Sequence, residues 1–173
     1  MIPQHLSLTN EHFTPAHVVE AARRTLGAID LDPASCGAAN ARVKATQWFS
    51  VNDDGLSKSW SGRVFLNPPG GRTPPMWKRR FDTASNATAW WRKLWEERHW
   101  VTAFVFIGFT LELLRSSQGN SDWPSAMTYP FCVPRERLCF GGDQPTHANV
   151  IIYSGPDFEA FKREFSPIGE VKP

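Results

Sequence analysis

Six short runs of apolar, β-branched or aromatic residues recur along this chain, at 29–31, 47–51, 63–66, 100–107, 127–133 and 149–153, each bounded by turn residues. Helical patterns fill the spaces between them. Thr14 reads as an N-cap and Pro15 as the first residue of a helix that carries Val18, Val19, Ala22 and Leu26 on one face, until Gly27 stops it. Residues 84–99 repeat apolar side chains at helical spacing through Ala87, Trp91, Leu94 and Trp95, and 110–117 and 157–165 read as shorter helices. Strand and helix in alternation predict an α/β fold, Rossmann-like, with a largely parallel sheet and flanking helices. At 173 residues the chain is expected to be one domain, 1–173, whose ligand sites lie beyond the carboxyl ends of the strands.

Several function classes drop out early. Cys36, Cys132 and Cys139 are an odd count without CxxC spacing, so neither a disulfide framework nor a four-ligand zinc site is written here. His5, His12, His17, His99 and His147 form no ligand spacing with them, and no metal is assigned. No phosphate-binding P-loop and no nucleophile elbow appears. The first residues lack a charged-then-apolar leader, and the longest apolar run, 101–109, is half of the ~20 residues a membrane span needs, so the expected location is cytoplasmic.

The most particular segment is Val64-Phe65-Leu66-Asn67-Pro68-Pro69-Gly70, an apolar strand running straight into Asn-Pro-Pro. Prolines remove donors and stiffen the backbone, so the Asn67 side-chain oxygen and the Pro68 carbonyl can stand as two fixed acceptors facing one planar amine. That arrangement suits the exocyclic NH2 of adenine or cytosine, turned toward an electrophilic methyl group. Read differently, Asn-Pro-Pro is a turn that ends a strand, and the tripeptide alone leaves both readings open. Upstream, Asp32-Pro33-Ala34-Ser35 sets a carboxylate, a proline and small residues just past the first strand, where a cofactor can approach the backbone. It lacks a G-x-G and also reads as a connecting turn. Asn52-Asp53-Asp54-Gly55-Leu56 follows the second strand, where an acidic residue suits a ribose or an amino group, or simply closes a solvated Asp-Gly turn.

Taken in order, Thr14-Pro15, Leu31-Asp32-Pro33-Ala34, Asp53-Asp54-Gly55-Leu56 with Trp60, and Phe65-Leu66-Asn67-Pro68-Pro69 resemble the phage-type DNA adenine N6-methyltransferase (Dam) family. The similarity continues through Arg135-Glu136-Arg137-Leu138-Cys139-Phe140-Gly141-Gly142 and Asn149-Val150-Ile151-Ile152-Tyr153, spanning residues 9–155. What it implies is an S-adenosylmethionine-dependent fold. Thr14, Pro15, Asp32, Pro33, Ala34, Ser35 and Asp54 then lie at the cofactor, and Asn67, Pro68 and Pro69 form the catalytic segment. DNA is the implied partner, and a phage gene expressed in a bacterial host the implied source. One position departs: amino-methyltransferases of this kind carry an aromatic residue after the two prolines, where it stacks on the flipped base, and here that residue is Gly70. Trp77 is the first substitute, with Phe109 and Trp60 behind it.

Between Arg72 and Trp100 seven cations face three carboxylates, a net of +4 that leaves about −2 for the rest of the chain. Residues 70–100 therefore read as a basic, Trp-rich insertion facing DNA, with Arg72, Lys78, Arg79 and Arg80 beside the catalytic segment. The helical part reads equally as an amphipathic helix with Trp90, Trp91 and Trp95 in the core; 76–80 reads as a DNA-facing loop. Recognition of sequence is expected from the loop after Pro69 and from 116–129. The expected activity is methylation of an exocyclic amine in DNA, first N6 of adenine. The alternatives are N4 of cytosine and a catalytically silent fold that binds DNA or protein.

Overall fold

Period-two alternation along the long strands builds a core on both faces of one sheet. The computed structural model describes residues 13–83, 85–118, 122–141 and 147–173. Its elements run α1 (Ala16–Leu26), β1 (Leu31–Asp32), α2 (Gly37–Val43), β2 (Gln47–Trp48), β3 (Gly62–Leu66), α3 (Pro75–Phe81), α4 (Asn86–Glu96), β4 (Val101–Gly108), α5 (Glu112–Ser116), β5 (Phe131–Pro134), β6 (Val150–Ser154), α6 (Phe158–Phe165) and β7 (Gly169–Lys172). The seven strands form one sheet in the order β2-β1-β3-β4-β6-β5-β7. β2, β1, β3 and β4 are parallel neighbours, while β6, β5 and β7 join antiparallel. The parallel half carries the site.

Phe65 of β3, Val105 and Ile107 of β4, and Ile151 and Tyr153 of β6 face α1 and α6. Their neighbours Val64, Leu66, Phe104, Phe106 and Ile152 face α4, α5 and Phe81 of α3. These side chains are almost wholly buried, each worth about 1.5–3 kcal/mol of transfer free energy. Tyr153 and Phe161 stack at 4.9 Å, tying β6 to α6. A bidentate pair joins the entrances of the two site-bearing strands: Arg63 donates from Nε and Nη2 to the two oxygens of Asp30, both at 2.8 Å, and its backbone N–H adds a third bond. Those bonds hold the Asp30 carboxyl below the usual carboxylate range.

Helix α1 follows its sequence stripe, with Val18, Val19, Ala22 and Leu26 buried and Gly27 at a left-handed φ of 76° closing it. Its start differs by one residue. Pro15 itself occupies the cap, its carbonyl accepting from Val18 and Val19, so Thr14 does not cap the helix but lies buried ahead of it. A larger difference is α3, where a loop was expected over 76–80: Pro74 and Pro75 pre-set helical entry, and Phe81 buries the far end. Strand β7 and helix α2 have no counterpart among the six runs and four helical patterns. His5, His12, Ala84, Gly142, the 9–12 end of the family resemblance and positions 119–121 of the expected recognition segment lie outside the described residues. Among the described residues no helix is long and apolar enough to cross a membrane.

Candidate functional site

β1 sends the chain to β2 on one side and the chain then returns to β3 on the other, so the sheet reverses its winding direction between β1 and β3. Open α/β sheets bind ligands beyond the carboxyl ends of strands at such a point. Leu31 pairs with Val64, which brings the two strands out level and sets Asp32-Pro33-Ala34-Ser35 beside Asn67-Pro68-Pro69-Gly70. A cleft of about 770 Å³ opens there, within the range of small-molecule and cofactor sites. Segments far apart in sequence meet around it: Thr14, the whole turn from Asp32 to Ser35, Asp54, Asn67 through Gly70, and Trp77. Pro15, Arg72, Lys78, Arg79 and Arg80 are not among its lining residues.

Several bonds make the turn after β1 rigid. The Ala34 N–H donates to Asp32 Oδ1 at 3.3 Å, the Ser35 N–H to the Phe49 carbonyl at 2.8 Å, and the Phe49 N–H to the Asp32 carbonyl at 3.1 Å. Asp32 is 2% exposed; burial pushes its carboxyl up to about 7, against the opposing pull of Ser35 and the Ala34 N–H. Asp53 spends its carboxylate on the Ser50 N–H and hydroxyl, at 2.8 and 2.6 Å, and so closes its own turn. Asp54 reaches the cleft instead, from a left-handed backbone at φ 53°.

Beneath this turn sits a tryptophan buttress. A Cβ on Gly55 would stand 2.0 Å from the Pro33 carbonyl oxygen and 3.0 Å from the Trp90 ring, so only glycine lets the loop after β2 press against the turn after β1. Trp60 donates its indole N–H to the Gly55 carbonyl at 2.9 Å and stacks on Trp90 at 5.7 Å. Gly55→Ala is therefore expected to cost about 1–3 kcal/mol of unfolding free energy. Denaturant titration checks it, and a loss under 0.5 kcal/mol would contradict so close an approach.

Asn86, the first residue of α4, latches the segment after β3. Its backbone N–H donates to the Gly71 carbonyl at 3.2 Å and its Nδ2 to the Gly70 carbonyl at 3.3 Å. With Nδ2 turned to a carbonyl, the amide orientation is fixed, and its Oδ1 is buried without a partner among the described residues. Asn86, Trp90 and Phe49 line the cleft and were missed as site residues. A signal existed only for Trp90, within the tryptophan cluster.

The aromatic and basic expectations divide. Trp77 is half-buried at the cleft, and Phe109 lines it as well. Trp60 is 1% exposed in the core and offers no stacking face. Trp90 and Trp91 are likewise core residues rather than stacking platforms on a surface, Trp91 meeting Phe104, Phe106 and Tyr129 edge-on. Among the α4 cations, Lys93 is buried and paired with Glu97, and Arg92 stacks on Trp123 at 3.6 Å, so neither reaches a phosphate. Arg72, Lys78, Arg79 and Arg80 stay exposed; Arg80 pairs with Glu96 at 2.6 Å. No group of three or more His, Cys, Asp or Glu among the described residues is placed to hold a metal ion.

No family model matches the sequence. No curated protein is significantly similar to it. Among solved structures, the chain is similar to a Listeria monocytogenes protein whose assignment as a class I S-adenosylmethionine-dependent methyltransferase is itself provisional, with a TM-score of 0.48 and 11% identity over 88% of this chain and 64% of that one. The chain thus spans less than two thirds of that protein's length.

Proposed function

We propose that this chain is an S-adenosylmethionine-dependent methyltransferase acting on an exocyclic amine in DNA, with N6 of adenine as the first substrate. The observation that carries the proposal is the convergence on one cleft of the Asp32–Ser35 turn, Asp54 and Asn67-Pro68-Pro69, the segments that the family resemblance pairs as cofactor turn and catalytic loop.

The lining suits the cofactor. Gly55 and Ala34 keep the wall thin, Phe49 and Phe109 offer ring faces, and Asp32 and Asp54 supply carboxyl groups for hydroxyl or ammonium donors. Bound there, S-adenosylmethionine would supply a methyl group on a sulfonium. The protein's part is to hold the amine. Asn67 Oδ1 and the Pro68 carbonyl accept its two hydrogens, draw the nitrogen lone pair out of conjugation with the base, and aim it; the proton released on methylation passes to water. A target base inside a duplex is out of reach of such a cleft and has to be flipped.

Labelled methyl transfer to mixed-sequence DNA, with product nucleosides separated, tests this. Label on N6-methyladenine supports it; label on N4-methylcytosine moves the substrate. Gly70 favours one other reading, a domain that binds cofactor and DNA without transfer, and measured cofactor binding with no label would select that.

Gly70 also gives a direct prediction. A Cβ there meets nothing within 4 Å, and its φ is not left-handed. Gly70→Tyr should fold as the parent does and tighten binding of the flipped base by about 1–3 kcal/mol, the worth of one stacked ring. Competition binding with an abasic duplex as reference reads it; no gain would show that Trp77 or Phe109 already fills the stacking position.

A further inference from the structure

Two large apolar side chains stand bare on the rim of the cleft: Val51, 91% exposed, from the turn after β2, and Met76, 64% exposed, from the first turn of α3. Single exposed apolar residues are ordinary. Met76 differs in its surroundings. Arg72, Lys78 and Arg79 flank it in sequence, all exposed and none in an ion pair among the described residues, and Arg79 lies one turn along α3 on the same side. The mount is firm. Pro74 and Pro75 start the helix, Phe81 is 3% exposed, Trp77 packs on Phe81 at 6.0 Å, and the Arg80 guanidinium covers both rings at 5.4 and 5.0 Å. A flexible apolar side chain on a fixed helix at a cleft mouth, with Arg79 on its own side and further exposed cations at Arg72 and Lys78, complements a partner with anions outside and stacked apolar faces inside. Duplex DNA has that cross-section.

We infer that Met76 is a wedge that enters the base stack of duplex DNA where the target base leaves for the cleft, while Arg72, Lys78 and Arg79 hold the flanking phosphates. This rests on the amine-methylation reading above. Unstacking a step is costly, and apolar wedges that replace the lost contact recur in proteins that distort DNA. A wedge is needed only when the base starts inside a duplex, so its signature is a difference between two forms of one substrate.

The test is labelled methyl transfer by the parent, Met76→Ala and Met76→Leu, each on the same mixed-sequence DNA as duplex and as single strands. The expected result for Met76→Ala is a loss of about tenfold on the duplex, equivalent to about 1.4 kcal/mol, and under about twofold on single strands, with Met76→Leu restoring the duplex rate. Equal losses on both forms, or no loss on either, overturn the wedge and leave the methylation reading standing. If the parent labels neither form, the methylation reading fails, and the wedge falls with it.

Discussion

Asn67→Ala should lower kcat for methyl transfer by about 10²–10³-fold, the loss expected when one preorganised polar contact to the reacting group is removed. S-adenosylmethionine affinity should be unchanged, because the Asp32–Ser35 turn and Asp54 lie beyond other strand ends and are fixed by their own bonds, the turn's with Phe49 and Asp54's with Ser57. Unfolding free energy should hold as well: Leu66, the last residue of β3, is buried and registered against Phe106, whereas Asn67 is only half-buried beyond it. Asn67→Asp makes the result specific. An ionised carboxylate keeps the acceptor and adds charge, so this variant should retain more activity than Asn67→Ala. Single-turnover rates at saturating cofactor, with cofactor binding measured separately, decide between outcomes. A fall in cofactor affinity with an unchanged single-turnover rate would move Asn67 from the amine to the cofactor side of the cleft.

Much of this geometry can be read from residues in order. The stripe of Val18, Val19, Ala22 and Leu26 is strong because every member is buried, and the near-continuous apolar run of β4 is strong because both faces of the sheet are covered. The two segments that matter most are visible because each follows an apolar run directly, and parallel neighbours necessarily deliver their carboxyl ends to one edge. What sequence obscures is anything decided by a distant partner. Gly169–Lys172 is a strand only because β5 pairs with it, Val133 opposite Glu170 and Cys132 opposite Val171. The tryptophan cluster hides its own logic for the same reason: Trp90 stacks on Trp60 from thirty residues earlier, and Gly55 between them looks like any glycine in an Asp-Gly turn. Lys93 is a different failure. Its partner Glu97 is one helical turn away, so the pairing was written locally, but its burial beside Trp60 was not. For α3 the Pro/Gly-dense run at 70–75 looks like a loop, although proline is also a good first residue of a helix.

Asp32 gives the largest effect on stability, and its sign is opposite to that of most acidic residues. Its folded-state pKa of about 7 lies above the ordinary value of 3.8, because burial disfavours the charged form. Below the ordinary value both folded and unfolded chains hold the proton, and the group contributes nothing. Between about pH 4 and 7 the folded chain holds a proton that the unfolded chain has lost, so stability falls as pH rises, by up to about 1.4 kcal/mol per pH unit and about 4 kcal/mol in all, and it is flat above. Asp30 and Glu164, held low by Arg63 and Arg24, act in the opposite direction, and their contribution is lost as pH falls through their own lower values. The comparison that isolates Asp32 is therefore the difference between the parent and Asp32→Asn. The amide oxygen can still accept from the Ala34 N–H, so the variant should keep the turn and be the more stable protein at pH 8, with the advantage shrinking toward pH 5. Equal pH slopes for the two proteins in denaturant titrations would show that the carboxyl is not held neutral. The same linkage reaches the ligand: a hydroxyl or ammonium donor that favours the ionised carboxylate must displace the proton, so cofactor affinity should rise from pH 5 to 8 in the parent and lose that rise in Asp32→Asn. Burial thus leaves Asp32 unstable as an anion until a donor enters the cleft, and the free energy withheld from folding is recovered on binding.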